Sequence, residues 1–196
     1  SAFHREYFDP KTRNYANGTQ TANTLPLFLG LAPEAERGAV WGNLFDNIVY
    51  KNYSHLTTGI IGTKYIMELL TRNGNSDLAY DIAVQTTYPS WGYMVEKGAT
   101  TIWERWDGWT QEKGFQDPGM NSFNHWAFGS VGEWMVQNIL GVQPDEQYPG
   151  WAQFTVRTRP GGGVRRPGPR SGRRAGRADV EGHRLQHVVE VERLRE

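Results

Sequence analysis

The stretch from Glu34 to Lys51, Glu-Ala-Glu-Arg-Gly-Ala-Val-Trp-Gly-Asn-Leu-Phe-Asp-Asn-Ile-Val-Tyr-Lys, decides the fold class. Val40, Trp41, Leu44, Phe45, Ile48 and Val49 recur at helical spacing and make one apolar stripe that runs to about Lys51. Pro33 opens this helix at its first position, where a missing N–H costs nothing. The stripe reads as core, not as a cofactor site. Working outward, Thr21 to Gly30 predicts a short apolar helix stopped by glycine. Residues 1–20 predict a partial helix or extended lead ending in an Asn17-Gly18 turn.

On the other side, His55-Leu-Thr-Thr-Gly leads into a helix with Ile60, Ile61, Tyr65, Ile66, Leu69 and Leu70 inward and Gly74 past its end. Ser76 can cap a further helix to about Thr87, before Pro89 stops it. Residues 88–123 read as irregular, rich in Gly and aromatics. A last helix is expected from Asn124 to Leu140, with Phe128, Val131, Trp134, Met135 and Ile139 inward and Gly141 as its stop. Paired helices with no βαβ alternation make the fold class all-α. After Tyr148-Pro-Gly the pattern changes, and Phe154-Thr-Val-Arg-Thr-Arg-Pro alternates like a strand.

The candidate chemistry lies in the irregular stretch. In Ala99-Thr-Thr-Ile-Trp-Glu-Arg-Trp-Asp-Gly-Trp109, Glu104 stands between Trp103 and Trp106, with Trp109 one turn further. Desolvating a carboxylate is costly unless it is paired, so an acid among indoles is a probabilistic sign of function. Flat aromatic faces beside a carboxylate also suit a sugar, whose C–H face stacks while its hydroxyls are hydrogen-bonded. The bland alternative is a Glu104–Arg105 surface pair on a Trp-rich helix.

Five motifs then carry a resemblance. They are Asn17-Gly-Thr-Gln-Thr-Ala, His55-Leu-Thr-Thr-Gly-Ile-Ile-Gly-Thr, Pro89-Ser-Trp-Gly-Tyr-Met-Val, Gly98-Ala-Thr-Thr-Ile-Trp-Glu-Arg-Trp and Asn121-Ser-Phe-Asn-His-Trp-Ala-Phe-Gly-Ser-Val-Gly-Glu-Trp. Together, and in this order, they resemble the bacterial α-L-rhamnosidases over roughly residues 1–160. The resemblance implies a six-hairpin (α/α)6 barrel, of which this chain is the C-terminal part. It implies a partial six-hairpin catalytic domain over 1–148 and the start of a β-sandwich over 149–163, whereas the Arg-, Gly- and Pro-rich tail over 164–196 does not continue the family's pattern. It also implies hydrolysis of terminal α-L-rhamnosyl residues by inversion, with Glu104 as the general base and His125 contacting the sugar. Trp91, Trp103, Trp106 and Trp126 are stacking candidates, each as readily core as subsite, while Trp134 reads as core.

An inverting glycosidase needs a second carboxyl as general acid, roughly 6.5–9.5 Å from the base. The family's acid lies in a Gly- and Trp-containing motif well upstream, and nothing in residues 1–98 matches it. Asp9, Glu34, Glu36, Asp46, Glu68, Asp77 and Asp81 read as surface acids. The expected partners are a rhamnose-containing glycoside and the missing N-terminal part of the same enzyme, with no nucleic acid and no membrane. The chain alone is expected to be inactive. A non-catalytic carbohydrate-binding remnant and another six-hairpin glycosidase are the alternatives.

Composition narrows the other classes. The 8 Trp, 9 Tyr and 8 Phe suit a core plus a sugar cleft, and zero Cys excludes disulfides. Ser1–Pro10 has no apolar run of a signal peptide, and no stretch reaches membrane-span length. No phosphate loop, Gly-x-Ser-x-Gly elbow or metal spacing is present, so no cofactor and no metal is expected. The net charge of zero hides an asymmetry: residues 164–196 hold 9 Arg, no Lys and 5 acids. That tail reads as a frame error in GC-rich DNA, ahead of a disordered tail or a nucleic-acid-binding arm.

Overall fold

The computed structural model describes residues 1–157 and the strand at 187–190. The readings made for the remainder of the tail lie outside the described residues. The chain forms two compact units, 1–131 and 132–196.

In the first unit, α1 (Ala2–Tyr7) leads into a small hairpin, β1 (Phe8–Asp9) and β2 (Asn14–Tyr15), with Phe8 opposite Tyr15. Helix α2 (Gln20–Phe28) is capped by the Thr19 hydroxyl, which accepts from the Ala22 N–H. Helix α3 (Glu34–Asp46) has Pro33 just outside it as the capping residue and continues as a π-helical turn, Asn47–Lys51. Val40, Leu44 and Ile48, one below the other at i, i+4, are fully buried, while Trp41, Phe45 and Val49 flank them half-buried. Glu34 and Glu36 in the first turn face the positive end of the helix dipole.

Helix α4 (Ile60–Arg72) packs on α2, and α2 packs on α3. The α2–α4 crossing is close at Gly62, where an added methyl would collide with the Thr21 hydroxyl and touch Thr58. Burial on α4 falls on Gly62, Thr63, Ile66, Met67, Leu69 and Leu70, but Ile60 and Ile61, expected inward, are exposed. They stand six and five positions before Ile66, roughly 120–140° round a helix of 3.6 residues per turn. Beyond Gly74 comes α5 (Ser76–Ala83), with Asn75 rather than Ser76 at its cap and an end four residues before the expected Thr87.

The stretch expected to be irregular holds a helix, α6 (Trp91–Glu96), whose Ser90 hydroxyl accepts from the Tyr93 N–H. It also holds a second small hairpin, β3 (Trp109–Thr110) and β4 (Gly114–Phe115). Under them lies a cluster of Met94, Trp103 and Phe128, flanked by Tyr93, Ile102, Trp106, Trp109 and Phe123.

The last helix begins at a tight 3-10 turn, Ala127–Ser130, three residues later than expected. It runs on as α7 (Val131–Trp134) and a π-helical turn, Met135–Ile139. Val131 and Trp134 are buried as expected, but Met135 is exposed and Asn138 is buried instead. The second unit adds an antiparallel sheet of β5 (Val142–Pro144), β6 (Gln153–Val156) and β7 (His187–Glu190), with β6 in the middle. The strand anticipated at Phe154 is therefore present. Its partner β5 lies just past the Gly141 helix stop, in a stretch for which no element was expected, and β7 falls inside the tail read as irregular. The fold class is accordingly helical with short β ladders, not all-α throughout.

Candidate active site

Two segments of the first unit run antiparallel and carry the candidate residues. The His125 N–H donates to the Ile102 carbonyl at 2.8 Å, and the Glu104 N–H donates to the Ser122 carbonyl at 2.9 Å. The Thr101 hydroxyl donates to the Phe123 carbonyl. The Ser122 N–H turns back to the Glu104 side chain and donates to Oε2 at 2.8 Å. Glu104 and Ser122 are thus joined twice, once through the backbone and once through the carboxylate. A hydrogen bond to an ionised acceptor is shorter and about twice as strong as a neutral one.

The other carboxylate oxygen, Oε1, lies 3.9 Å from His125 Nε2. The two side chains keep 15% and 23% of their surface exposed. His125 Nδ1 accepts from the Ala127 N–H at 3.3 Å, so in the neutral ring the proton sits on Nε2 and points toward Glu104. At 3.9 Å the two groups are beyond a direct hydrogen bond. A hydroxyl or water bridging them fits that spacing.

The Glu104–Arg105 pair considered as a bland alternative does not form. Arg105 instead grips Asp107 with a bidentate fork at 2.9 and 3.0 Å. That hydrogen-bonded acid raises the guanidinium pKa further above its ordinary range. Neighbouring geometry depends on Gly108, whose Cα approaches Asn121. An added Cβ there would lie 2.8 Å from the Asn121 side-chain oxygen, and the Asn121 amide donates to the Gly108 carbonyl at 2.9 Å.

The indoles divide. Trp91 is 8% exposed and donates its ring N–H to the Phe128 carbonyl at 3.0 Å; Trp103 is 5% exposed and meets Phe123 edge-on at 5.2 Å. Of the stacking candidates, these two have most of their area in the core, where a buried indole needs one partner for its N–H. Trp106 is half-buried. Its ring stacks on Phe128 at 4.0 Å and meets Trp91 edge-on at 5.2 Å, while its N–H donates to the Thr58 carbonyl at 2.8 Å. Trp126 is 79% exposed, its ring within 13° of parallel to that of His125.

Sequence reasoning missed the supports of this site. Gln20, buried at the start of α2, donates to the His55 carbonyl at 3.0 Å and accepts from the Thr57 N–H at 2.8 Å. The loop so anchored presents the Thr58 carbonyl to Trp106. Gln20 and Thr58 both lie in quoted motifs, so the signal was present without its role. The upstream acids have structural partners: Asp9 takes the Lys11 N–H and the Thr12 hydroxyl, which hold its carboxyl below the ordinary range. Glu36 pairs with Arg13, Glu34 with Arg37 and Glu68 with Arg72. Among the described residues no three His, Cys, Asp or Glu side chains are grouped to hold a metal, and no helix is long and apolar enough to cross a membrane.

Residues 1–139 match the sequence profile of the bacterial alpha-L-rhamnosidase 6 hairpin glycosidase domain. The chain belongs to this family. The chain is 49% identical over 146 residues to an alpha-L-rhamnosidase of Streptomyces avermitilis, covering 74% of this chain and 14% of that protein. It is 41% identical over 157 residues to one of Alteromonas sp. strain LOR, covering 79% and 17%. The crystal structure of Streptomyces avermitilis alpha-L-rhamnosidase complexed with L-rhamnose matches with a TM-score of 0.75 at 45% identity, over 83% of this chain and 15% of that one. The native enzyme from Aspergillus terreus matches with a TM-score of 0.72 at 37% identity, over 83% and 18%. The chain therefore spans a small fraction of the length of these relatives.

Proposed function

We propose that this chain supplies the base side of an inverting α-L-rhamnosidase, acting on a rhamnose-containing glycoside. The observation that carries the reading is the Glu104 carboxylate, one oxygen held by the Ser122 N–H and the other facing His125 Nε2 at 3.9 Å. The held oxygen fixes the carboxylate's direction. The free oxygen takes the proton of the attacking water as the anomeric carbon gains oxocarbenium character. His125, with its proton on Nε2, donates to a sugar hydroxyl or to that water. Trp126 and the open edge of Trp106 offer faces to the substrate, and Trp91 and Trp103 hold the floor rigid.

The general acid belongs, in this reading, to the part of the relatives that this chain does not span. The helices α2 to α6 are part of a barrel completed by the same part, and the strands after Gly141 open a β-rich segment. The assay uses an aryl α-L-rhamnoside with this chain and with a longer protein that extends it upstream. Turnover by the longer protein, a fall of about 10²–10⁴-fold in its Glu104→Gln form, and none by this chain are expected. Robust turnover by this chain that Glu104→Gln abolishes would overturn the reading that the acid lies elsewhere.

A further inference from the structure

A cavity of about 270 Å³ lies beside the Thr101–Glu104 segment. Thr101 and Trp103 line it, and neither Glu104 nor His125 does. One wall is the second hairpin, where Trp109 and Phe115 stand opposite each other in register and so share a face. The floor is Trp103 with Phe123, and Phe115, mostly exposed at the mouth, meets Phe123 edge-on at 5.4 Å. The facing rim is Lys97 to Thr100, where Gly98 and Ala99 leave the backbone open to approach.

Lys97 gives the cavity its charge. Its ammonium lies 5.4 Å from the centre of the Tyr93 ring and 5.9 Å from that of Trp109. Among the described residues it has no carboxylate partner, so its charge is balanced only by ring faces, a weak interaction at an exposed site. The Thr100 hydroxyl, beside it, has no hydrogen bond among the described residues. Flat rings, a free hydroxyl and an uncompensated cation around a space smaller than drug-sized sites, roughly 300–1,000 Å³, describe a receptor for one anionic ring.

We propose that this cavity is a second carbohydrate site, separate from the Glu104–His125 pair, that takes a single pyranose bearing a carboxylate. The C–H face of the sugar stacks on Trp109 and Phe115, its carboxylate meets Lys97, and its hydroxyls meet Thr100 and the backbone at Gly98. Lys97 is exposed at the end of α6 and can be replaced without disturbing the core.

The test titrates this chain with sodium D-glucuronate, D-glucose and sodium acetate at one ionic strength, following the indole N–H signal of Trp109 by NMR. Saturable binding of glucuronate is expected, about tenfold or more tighter than glucose or acetate, the size of one charge-assisted contact. Lys97→Met should remove that preference, Lys97→Arg should keep it, and Phe115→Ala should weaken binding of every ring. Glucuronate binding no better than glucose, or a preference surviving Lys97→Met, overturns the proposal. Loss of binding in Glu104→Gln also overturns it, since the site would then be the first one.

Discussion

At the scale of single residues, the site rests on a few hydrogen bonds that are easy to remove one at a time. Trp106 is the clearest. Trp106→Phe keeps the stack on Phe128 but deletes the N–H that satisfies the Thr58 carbonyl, and Thr58 is buried. Leaving a buried acceptor unpaired costs about 1–3 kcal/mol, so a fall in Tm and in urea midpoint is expected. An unchanged midpoint would mean that Thr58 finds water instead. Tyr15 gives a pH signature. Burial raises its phenol pKa above the ordinary 10, helped by the negative charge of Glu36. The unfolded chain ionises first, so this contribution to stability is complete below pH 10 and is lost as pH climbs through the folded value. Tyr15→Phe should flatten that alkaline slope in a pH series of urea midpoints; an identical slope would remove Tyr15 as its source.

At the scale of elements, two glycines on neighbouring helices have opposite roles. Gly62 sits where α4 meets Thr21 of α2, with no room for a methyl, whereas Gly42 on α3 has nothing within 4 Å of its would-be Cβ. Gly62→Ala should cost about 1–3 kcal/mol through overpacking. Gly42→Ala should stabilise by about 0.4–1 kcal/mol through the unfolded state. Parallel thermal melts decide both, and equal shifts would contradict the close crossing. This contrast also marks what was legible. The positions of α2, α3 and α4 could be read from apolar spacing, because each buries one row of side chains against a neighbour. The end of α5 was placed too late because no Gly or Pro stop precedes Pro89, although Val84, Thr86 and Thr87 are β-branched, weak helix formers. Helix α6 was missed although Ser90 stands one residue before it, because its two buried residues, Trp91 and Met94, make too short a periodic run to register.

At the scale of the whole chain, the first unit leaves Tyr50, Tyr53, Ile61, Val84 and Val95 largely exposed. Monomeric proteins rarely expose much contiguous apolar surface. In the reading of a barrel completed by other residues, this chain alone should self-associate or aggregate. Sedimentation or light scattering measures it, and a monodisperse monomer that melts cooperatively would count against the partial barrel. The family was legible in the motifs, and the proposal of Glu104 as base rests on the same motifs. The fate of the other residues in the same motifs was not legible. Trp91, Trp103 and Trp126 look alike in sequence, yet only packing separates two floor residues from one exposed face.

The hairpin of β3 and β4 carries Gln111, Glu112 and Lys113 exposed at its tip, in the connection between Glu104 and His125. Exposed polar tips are where proteases cut and where insertions are tolerated. Trypsin acting after Lys113 would divide the chain into two peptides, one bearing the acid and the other the imidazole. The bonds between Ile102 and His125 and between Glu104 and Ser122 would remain to hold the peptides together. The site is therefore built so that its two halves could be carried on separate polypeptides, and the hairpin tip is the place to split it for a two-piece reporter or to graft a foreign loop.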